Sequence, residues 1–149
     1  MPAYAVPSFF FSRIINPVIT FVVGTLGVNL QGAWVLAVRG RKSGKIQTVP
    51  VNVLIYQGAR YLLSPRGETQ WVRNLRAAGE CELRRGRNRR TFRVAEEVSD
   101  ADKPFVLQAY LQKWDSQTKS IIGLDRNATM AELVAAAPRH PAFRLIPVA

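Results

Sequence analysis

The residues with the clearest capacity for chemistry lie in a glycine-flanked basic turn, Gly40-Arg-Lys-Ser-Gly44. Glycine allows unusual backbone angles, so successive amide groups can face one anion, while Arg41 and Lys42 neutralise its charge and Ser43 donates a hydroxyl. The spacing differs from that of a P-loop, and no helix is predicted to follow. A lone turn of this composition is commonly just a solvated hairpin. A second basic turn follows at Ser64-Pro-Arg-Gly67, and together the two predict an anion-binding site.

Positive charge is concentrated in the same part of the chain. Residues 39–93 hold fourteen of the 21 Lys and Arg residues but only three of the ten acidic residues, and the rest of the chain is balanced. A concentrated field of one sign favours an anionic partner. The densest run, Arg84-Arg-Gly-Arg-Asn-Arg-Arg90, is either a solvated face or an extension of the anion groove.

Nucleic-acid binding is the leading alternative function, because a net charge of +11 and an arginine-rich hairpin match its electrostatic footprint. Only Tyr61 and Phe92 are available in the basic strands as platforms on which bases could stack. Neither a helix-turn-helix nor a zinc motif is visible. We therefore expect no nucleic-acid partner, and a basic nucleic-acid-binding domain is kept only as an alternative.

The chain offers few side chains for catalysis of its own. Its 149 residues predict one domain, and it contains a single cysteine, Cys81, and a single histidine, His140, in an expected loop. This composition disfavours metal centres and histidine-based triads, so no metal site is predicted. If the protein is an enzyme, a cofactor is expected to supply the chemistry.

The elements that must position these turns are short strands and a few helices. Alternating or β-rich segments predict strands at 33–38, 48–56, 60–63, 81–85, 89–98 and 143–148. Pro50 places the second of these at a sheet edge or a bulge. Helices are predicted at 69–78, from the N-cap Thr69 to the terminating Gly79, at 100 to about 114, and at 128–136. Five or six mostly antiparallel strands with peripheral helices indicate a small barrel of the α+β class.

The order of these pieces resembles one known family. The segments Gly40-Arg-Lys-Ser-Gly44, Thr48-Val-Pro-Val51, Tyr61-Leu-Leu-Ser-Pro-Arg-Gly67 and Trp71-Val-Arg-Asn-Leu75 are similar to those of the deazaflavin-dependent nitroreductases, a branch of the flavin-binding split β-barrels that uses coenzyme F420. The resemblance covers roughly residues 33–98. It implies one split-barrel domain over 1–149, with an apolar helical segment at 1–30, the barrel core and coenzyme groove at 33–98, and helices with a closing strand at 99–149.

The resemblance implies an F420-dependent oxidoreductase, like a nitroreductase or a quinone reductase. Such an enzyme transfers a hydride from the reduced deazaflavin to a small conjugated acceptor: a quinone, a nitroaromatic or an activated enone. F420 carries a phosphodiester and an oligoglutamate tail, so an anionic coenzyme suits the basic turns. The family's coenzyme contacts fall here on Arg41, Lys42, Ser43, Gly44, Val49, Pro50, Val51, Ser64, Pro65, Arg66, Gly67, Trp71 and Asn74. The resemblance implies that Asn74 either reaches the coenzyme or braces the basic turn.

The acceptor pocket is expected at Asn52, Tyr110 and Trp114. The last two lie four residues apart on a predicted helix, a spacing that fits a pocket and a buried core equally well. Trp71 and Leu75 are also four residues apart, and they follow the stripe of a buried helix face, which favours the core for them. The chain departs from the family in a shorter loop before Trp71 and in fewer tyrosines on the later helix. No protein acid or base is strictly required, because a deazaflavin moves a hydride.

Two other ligand classes stay open. FMN suits the chain less well than F420, since its single phosphate would leave the charge excess unexplained, and haem would have only His140 as a histidine ligand. A split barrel can also bind F420, FMN or an apolar molecule without turning it over. The sequence leaves the oligomeric state open, a homodimer included.

The N-terminal segment is apolar between Ser8 and Leu30 but is interrupted by Pro17 and two glycines. A spanning helix needs about 20 largely uninterrupted apolar residues, and the basic start of a signal peptide is missing. The segment is predicted either to pack over the barrel or to make a peripheral contact with a membrane. The expected location is cytoplasmic, with the inner face of the membrane as the alternative.

Overall fold

The computed structural model describes residues 34–148, and this part of the chain forms seven strands and three α-helices. The strands are β1 (Trp34–Arg39), β2 (Ile46–Val51), β3 (Leu54–Tyr56), β4 (Ala59–Leu63), β5 (Glu80–Arg85), β6 (Asn88–Glu97) and β7 (Ala142–Pro147). The helices are α1 (Gln70–Ala78), α2 (Lys103–Ile122) and α3 (Met130–Ala136), and a 3-10 turn at Ala137–Arg139 follows α3. The class is α+β, as the sequence predicts.

The strands form one antiparallel sheet in the order β2-β1-β5-β6-β7-β4-β3. Its two edge strands, β2 and β3, are consecutive in the chain and are joined only by Asn52 and Val53. Two residues span only about 7–10 Å, so the sheet must curl until its edges lie close together. The result is a half-barrel with a split at Asn52.

The predicted number of five to six strands is wrong, because residues 34–148 contain seven. The expected strand at 48–56 is two strands, β2 and β3, on opposite edges of the sheet. The sequence pattern did not reveal the break between β2 and β3, because apolar and polar residues continue to alternate across it and Val53 is buried like a strand residue. The position of Pro50 in an edge strand is confirmed, and a proline is tolerated there because the edge has an unpaired side.

Helix boundaries agree with the sequence at α1 and differ at α2. Gly79 ends α1 in the left-handed conformation at φ +77°, and Thr69 precedes its first turn. Helix α2 begins at Lys103 and continues through a kink at Trp114 to Ile122, eight residues beyond its predicted end. Helix α3 starts at Met130, later than predicted, behind a capping box.

The buried side chains form two clusters. One fills the barrel and includes Leu36, Leu62, Leu75, Phe92 and Phe143. The other lies between the helices and the sheet, and its members include Leu107, Tyr110, Trp114, Leu133 and Ala142. The candidate site lies where these two clusters meet, at the split.

The predicted apolar helical segment at 1–30, expected to pack over the barrel or to contact a membrane, lies outside the described residues. Of the helices that the structure does describe, none has the length and apolar character needed to cross a bilayer.

Candidate functional site

A cavity of about 260 Å³ lies at the split, between β2, the end of β4 and the helices α1 and α2. This volume is close to the lower end of small-molecule pockets, roughly 300–1,000 Å³. Its walls are largely apolar and include Val38, Leu63 and Trp71. Predicted site residues that line it are Val49, Val51, Asn52, Ser64, Pro65, Arg66, Trp71, Asn74 and Tyr110. The chain thus brings most of the predicted residues to one place.

The basic turn Gly40–Gly44 lies beside the cavity, not in its wall. Arg41, Lys42, Ser43 and Gly44 line a shallow groove together with the C-terminal end of α1. The turn is closed by the N–H of Gly44, which donates to the Gly40 carbonyl at 2.9 Å, and by the N–H of Gly40, which donates to the Lys45 carbonyl at 2.7 Å. Gly44 has φ +76°, a conformation that favours glycine.

Neutral amides of α1 hold Arg41 in place. Asn74 is only 4% exposed, and its Oδ1 accepts from the backbone N–H of Arg41 at 3.1 Å and from the guanidinium Nη1 at 2.8 Å. The same Nη1 donates to Gln70 Oε1 at 3.0 Å. Asn74 therefore braces the basic turn, one of its two expected roles, and it lines the cavity as well. The bracing fixes the charge of Arg41 without neutralising it.

The second basic turn, Ser64–Gly67, is locked from inside. The buried Ser64 hydroxyl donates to the Gly67 carbonyl at 2.7 Å, and the N–H of Ser64 donates to Pro141 at 2.9 Å. Gly67 has φ +87°, and a Cβ there would come within 3.1 Å of the Arg139 carbonyl. Ser64 thus shapes the turn, which presents the exposed Arg66 at the cavity.

His140 supports this turn, a role that the sequence did not reveal. Its Nδ1 lies 3.2 Å from the Ser64 carbonyl, and the ring is buried. Burial lowers the pKa of His140, because desolvation disfavours the imidazolium. The neutral ring with Nδ1 protonated then donates to Ser64. The contact joins residues 76 positions apart, so no local sequence signal could have indicated it.

The polar end of the cavity is formed by Asn52 and Tyr110. Asn52 is 5% exposed, and its Nδ2 donates to the Tyr110 hydroxyl at 3.3 Å. Among the described residues, nothing donates a hydrogen bond to Asn52 Oδ1 or pairs with the hydroxyl of Thr69, which also lines the cavity. Burial raises the pKa of Tyr110 to about 12, so its hydroxyl stays protonated. Unpartnered buried oxygens are uncommon and indicate a place for a ligand group or water.

Besides the basic turn, three more predicted residues lie away from the cavity lining. Trp114 is buried beneath Tyr110, with ring centroids 4.9 Å apart, and Pro50 is buried opposite Val35 in the β1–β2 ladder. Gly67 shapes its turn as described above. Thr118 lines the cavity although the sequence did not point to it. Its hydroxyl donates to the Trp114 carbonyl at 2.9 Å, a helix contact that accompanies the kink.

The arginine-rich hairpin lies away from the basic turn. In the register of β1 and β5, Val35 pairs with Arg84, whereas Arg39 and the turn Gly40–Gly44 lie at the other end of β1. At about 3.3 Å per residue, the six residues of β1 separate the two regions by roughly 20 Å. The hairpin therefore does not extend the groove of the basic turn.

Solved structures with this fold match most of the described chain. A putative pyridoxamine 5'-phosphate oxidase from Listeria innocua matches with a TM-score of 0.53, 10% identity and coverage of 79% of this chain and 85% of its own. A structure described as an F420-H2 dependent reductase (FDR-A) matches with a TM-score of 0.51 and 17% identity, and the match covers 80% of this chain and 97% of that protein. A protein of unknown function from Agrobacterium tumefaciens matches with a TM-score of 0.52 and 16% identity. That match covers 78% of this chain and 48% of the other protein, so the chain spans about half of that protein. At these identities the likeness establishes the fold, a split barrel.

The sequence itself matches one family model. The model described as F420H(2)-dependent quinone reductase covers residues 12–143, which is most of the chain. None of the proteins of curated function matches it significantly.

Proposed function

The chain belongs to the F420H2-dependent quinone reductase family, and from this premise we propose that it reduces a small conjugated acceptor at the cavity beside β2. The protein is an F420-dependent oxidoreductase, and F420 is its cofactor. When bound in its reduced form, F420 supplies a hydride. A quinone is the acceptor most consistent with the family, and nitroaromatics and activated enones share its chemistry.

The chain's residues fit an anionic coenzyme. Arg41 keeps its charge unneutralised, because its partners are the amides of Asn74 and Gln70. Lys42 is exposed and makes no ion pair with any residue between 34 and 148. We assign the phosphodiester and the acidic tail to the turn Gly40–Gly44, with Arg66 as a further cation at the cavity. Guanidinium and ammonium groups of this kind make charge-assisted hydrogen bonds to phosphate and carboxylate oxygens.

The cavity walls suit a flat, largely apolar ring system. Val49 and Val51 present side chains from β2, and Trp71 faces the cavity from α1 while packing on Phe143 at 6.2 Å between ring centroids. Apolar walls exclude water, which strengthens the few polar contacts inside. We assign the ring to these walls and the turn-shaping role to Ser64, as its buried hydrogen bonds indicate.

The observation that carries the acceptor proposal is the hydrogen bond at the buried end of the cavity, where Asn52 Nδ2 donates to the Tyr110 hydroxyl at 3.3 Å. Asn52 orients the Tyr110 hydroxyl by donating to its oxygen, which leaves the Tyr110 hydrogen available for a carbonyl or nitro oxygen. A fixed donor aimed at an oxygen stabilises the negative charge that grows there during reduction. With a pKa of about 12, Tyr110 donates this hydrogen bond but transfers its proton poorly, so the proton that completes the product comes from solvent.

Coenzyme placement is tested by parallel fluorescence titrations with F420 and FMN. The double variant Lys42→Ala, Arg66→Ala should raise the Kd for F420 at least about tenfold, because each charge-assisted hydrogen bond contributes roughly 1.5–3 kcal/mol. The matched double variant Arg87→Ala, Arg93→Ala removes the same charge elsewhere and should bind F420 nearly as the wild type does. Equal affinity in all three proteins would place the coenzyme away from these turns.

The acceptor role is tested by turnover with a panel of quinones, nitroaromatics and enones. Tyr110→Phe should lower kcat/KM roughly 10- to 100-fold with little change in F420 affinity, since one directed hydrogen bond is lost. Tyr61→Phe, a tyrosine outside the cavity lining, is the control. If reduced F420 binds tightly and no acceptor in the panel oxidises it, a carrier function replaces the reductase proposal.

A further inference from the structure

A separate group of three arginines lies at the end of the barrel opposite the turn Gly40–Gly44. We propose that Arg60, Arg85 and Arg90, called here the arginine cluster, form a second anion site that binds a phosphate group. The cluster is separate from the coenzyme groove and takes no part in the proposed reduction. Its placement follows from strand register, aromatic contacts and the distribution of acidic residues.

Strand register puts all three arginines on the inner face of the barrel. Arg90 is paired with the buried Leu83, and Arg60 is paired with the buried Leu145. Arg85 lies two residues after Leu83 on β5, so it shares the inward face. The three side chains therefore lie around one opening of the barrel.

Aromatic rings hold the guanidinium groups at that opening. The Cζ atoms of Arg60 and Arg90 lie 5.2 and 5.4 Å from the centroid of Phe92, and that of Arg85 lies 5.4 Å from the centroid of Trp34. Phe92 is 1% exposed, so it forms the floor on which two guanidinium groups rest. Stacking on rings fixes the position of an arginine and leaves its N–H edges available.

No acidic side chain neutralises the cluster within residues 34–148, where the ion pairs involve other arginines and lysines. Residues 1–33 contain neither Asp nor Glu. Arg60, Arg85 and Arg90 carry like charges at one opening, and a bound anion would reduce their mutual repulsion.

A phosphate group matches this arrangement better than a single carboxylate. A phosphate monoester carries about −1.5 to −2 charges at neutral pH and three acceptor oxygens, so it can pair with several guanidinium forks at once. Two sources would present the same chemistry: a free phosphorylated molecule or a phospholipid headgroup. The phosphodiester of the coenzyme is assigned elsewhere, at the turn Gly40–Gly44, roughly 20 Å away along β1.

The test uses the holoenzyme saturated with F420, so that the coenzyme groove is filled. Calorimetric titration with pyrophosphate tests the free-phosphate source, and flotation with phosphatidic acid vesicles against phosphatidylcholine vesicles tests the headgroup source. The double variant Arg85→Gln, Arg90→Gln should weaken the binding at least about tenfold. The matched variant Arg73→Gln, Arg93→Gln removes two other exposed arginines and should leave it within about twofold.

The two arms assign the source: pyrophosphate binding indicates a free phosphate ligand, and flotation with acidic vesicles alone indicates the headgroup. Thermal unfolding of both double variants checks that each is folded, and F420 titration checks that the coenzyme groove is intact. The proposal is overturned if neither probe binds saturably, or if the Arg73, Arg93 variant loses as much affinity as the Arg85, Arg90 variant.

Discussion

The two ends of the barrel each concentrate positive charge, but they hold it in different ways. At the proposed coenzyme end, which carries the turns Gly40–Gly44 and Ser64–Gly67, Arg41 is fixed by the hydrogen bonds that it donates to the amide oxygens of Asn74 and Gln70. A buried hydroxyl shapes the neighbouring turn. At the opposite end, the guanidinium groups of Arg60 and Arg90 rest on the ring of Phe92. Within residues 34–148, none of these three arginines forms an ion pair with a carboxylate.

The difference has a consequence for selectivity. Hydrogen bonds to amide oxygens are directional, so they fix which N–H groups of Arg41 point toward the groove. Contacts with a ring face have weaker directional demands, so the arginines of the cluster can turn to suit different phosphates. The coenzyme end is therefore expected to discriminate sharply between anions, and the arginine cluster to discriminate weakly.

Removing the ring of Phe92 should have the largest effect on stability. Phe92→Ala is expected to lower the free energy of unfolding by about 3–5 kcal/mol, because a fully buried ring is lost from the barrel core. Pyrophosphate binding should fall with it, whereas F420 affinity of the folded protein should change little. Urea denaturation and the two titrations measure this, with Phe92→Leu as a milder control. A parallel loss of F420 affinity would show that the two ends are coupled.

Removing the bracing amide should have an intermediate effect at the other end. Asn74→Ala leaves the Arg41 N–H unpaired next to a buried gap, so we expect a loss of about 1–3 kcal/mol in stability and a clear loss of F420 affinity. Gln70→Ala, which removes an exposed acceptor of the same guanidinium, should cost less. Denaturation curves and F420 titration compare the two. Similar losses in both variants would mean that burial of Asn74 is unimportant.

The smallest effect concerns pH and is confined to the coenzyme end. The pKa of His140 is lowered by burial, so the unfolded chain takes up a proton first as the pH falls below about 6.5. The contribution of neutral His140 to the free energy of unfolding is therefore fully present above about pH 6.5. As the pH falls from there to the folded-state pKa, this contribution decreases by at most about 1.4 kcal/mol per pH unit. His140→Asn keeps a donor for the Ser64 carbonyl and removes the titration.

Urea denaturation between pH 7.5 and 5.5 measures that slope. The wild type should lose stability across this range while the His140→Asn variant stays nearly flat. Equal slopes in the two proteins would assign the pH dependence to other groups.

Much of the fold could be predicted from local patterns. Alternating side chains located most strands, and Gly79 ended α1 as expected. Pro50 indicated an edge or a bulge, and its strand lies at an edge. The break at Asn52 and Val53 was invisible, because burial continues through it while the hydrogen-bonding partner changes from β1 to β4. Sequence periodicity reports which face is buried, not which strand lies alongside.

The candidate site, like the fold, could be predicted from the sequence only in part. The family membership and the F420 cofactor that the ordered motifs implied are confirmed. The two basic turns and the cavity residues lie together, although the roles assigned to them stay predictions. Thr118 and His140 were missed, since each matters through a fold-level position and belongs to no recognisable motif.

The position of β7 between β6 and β4 affects how the protein is made. Before residues 142–147 leave the ribosome, the strands can assemble only as two pieces, β2-β1-β5-β6 and β4-β3, and each piece has an open edge where β7 belongs. Open edges recruit foreign strands, and pairing Arg60 with Leu145 requires closing a long loop, which is slow. The nascent chain therefore carries all residues of both basic turns long before it can form one sheet, and during that interval its open strand edges favour aggregation.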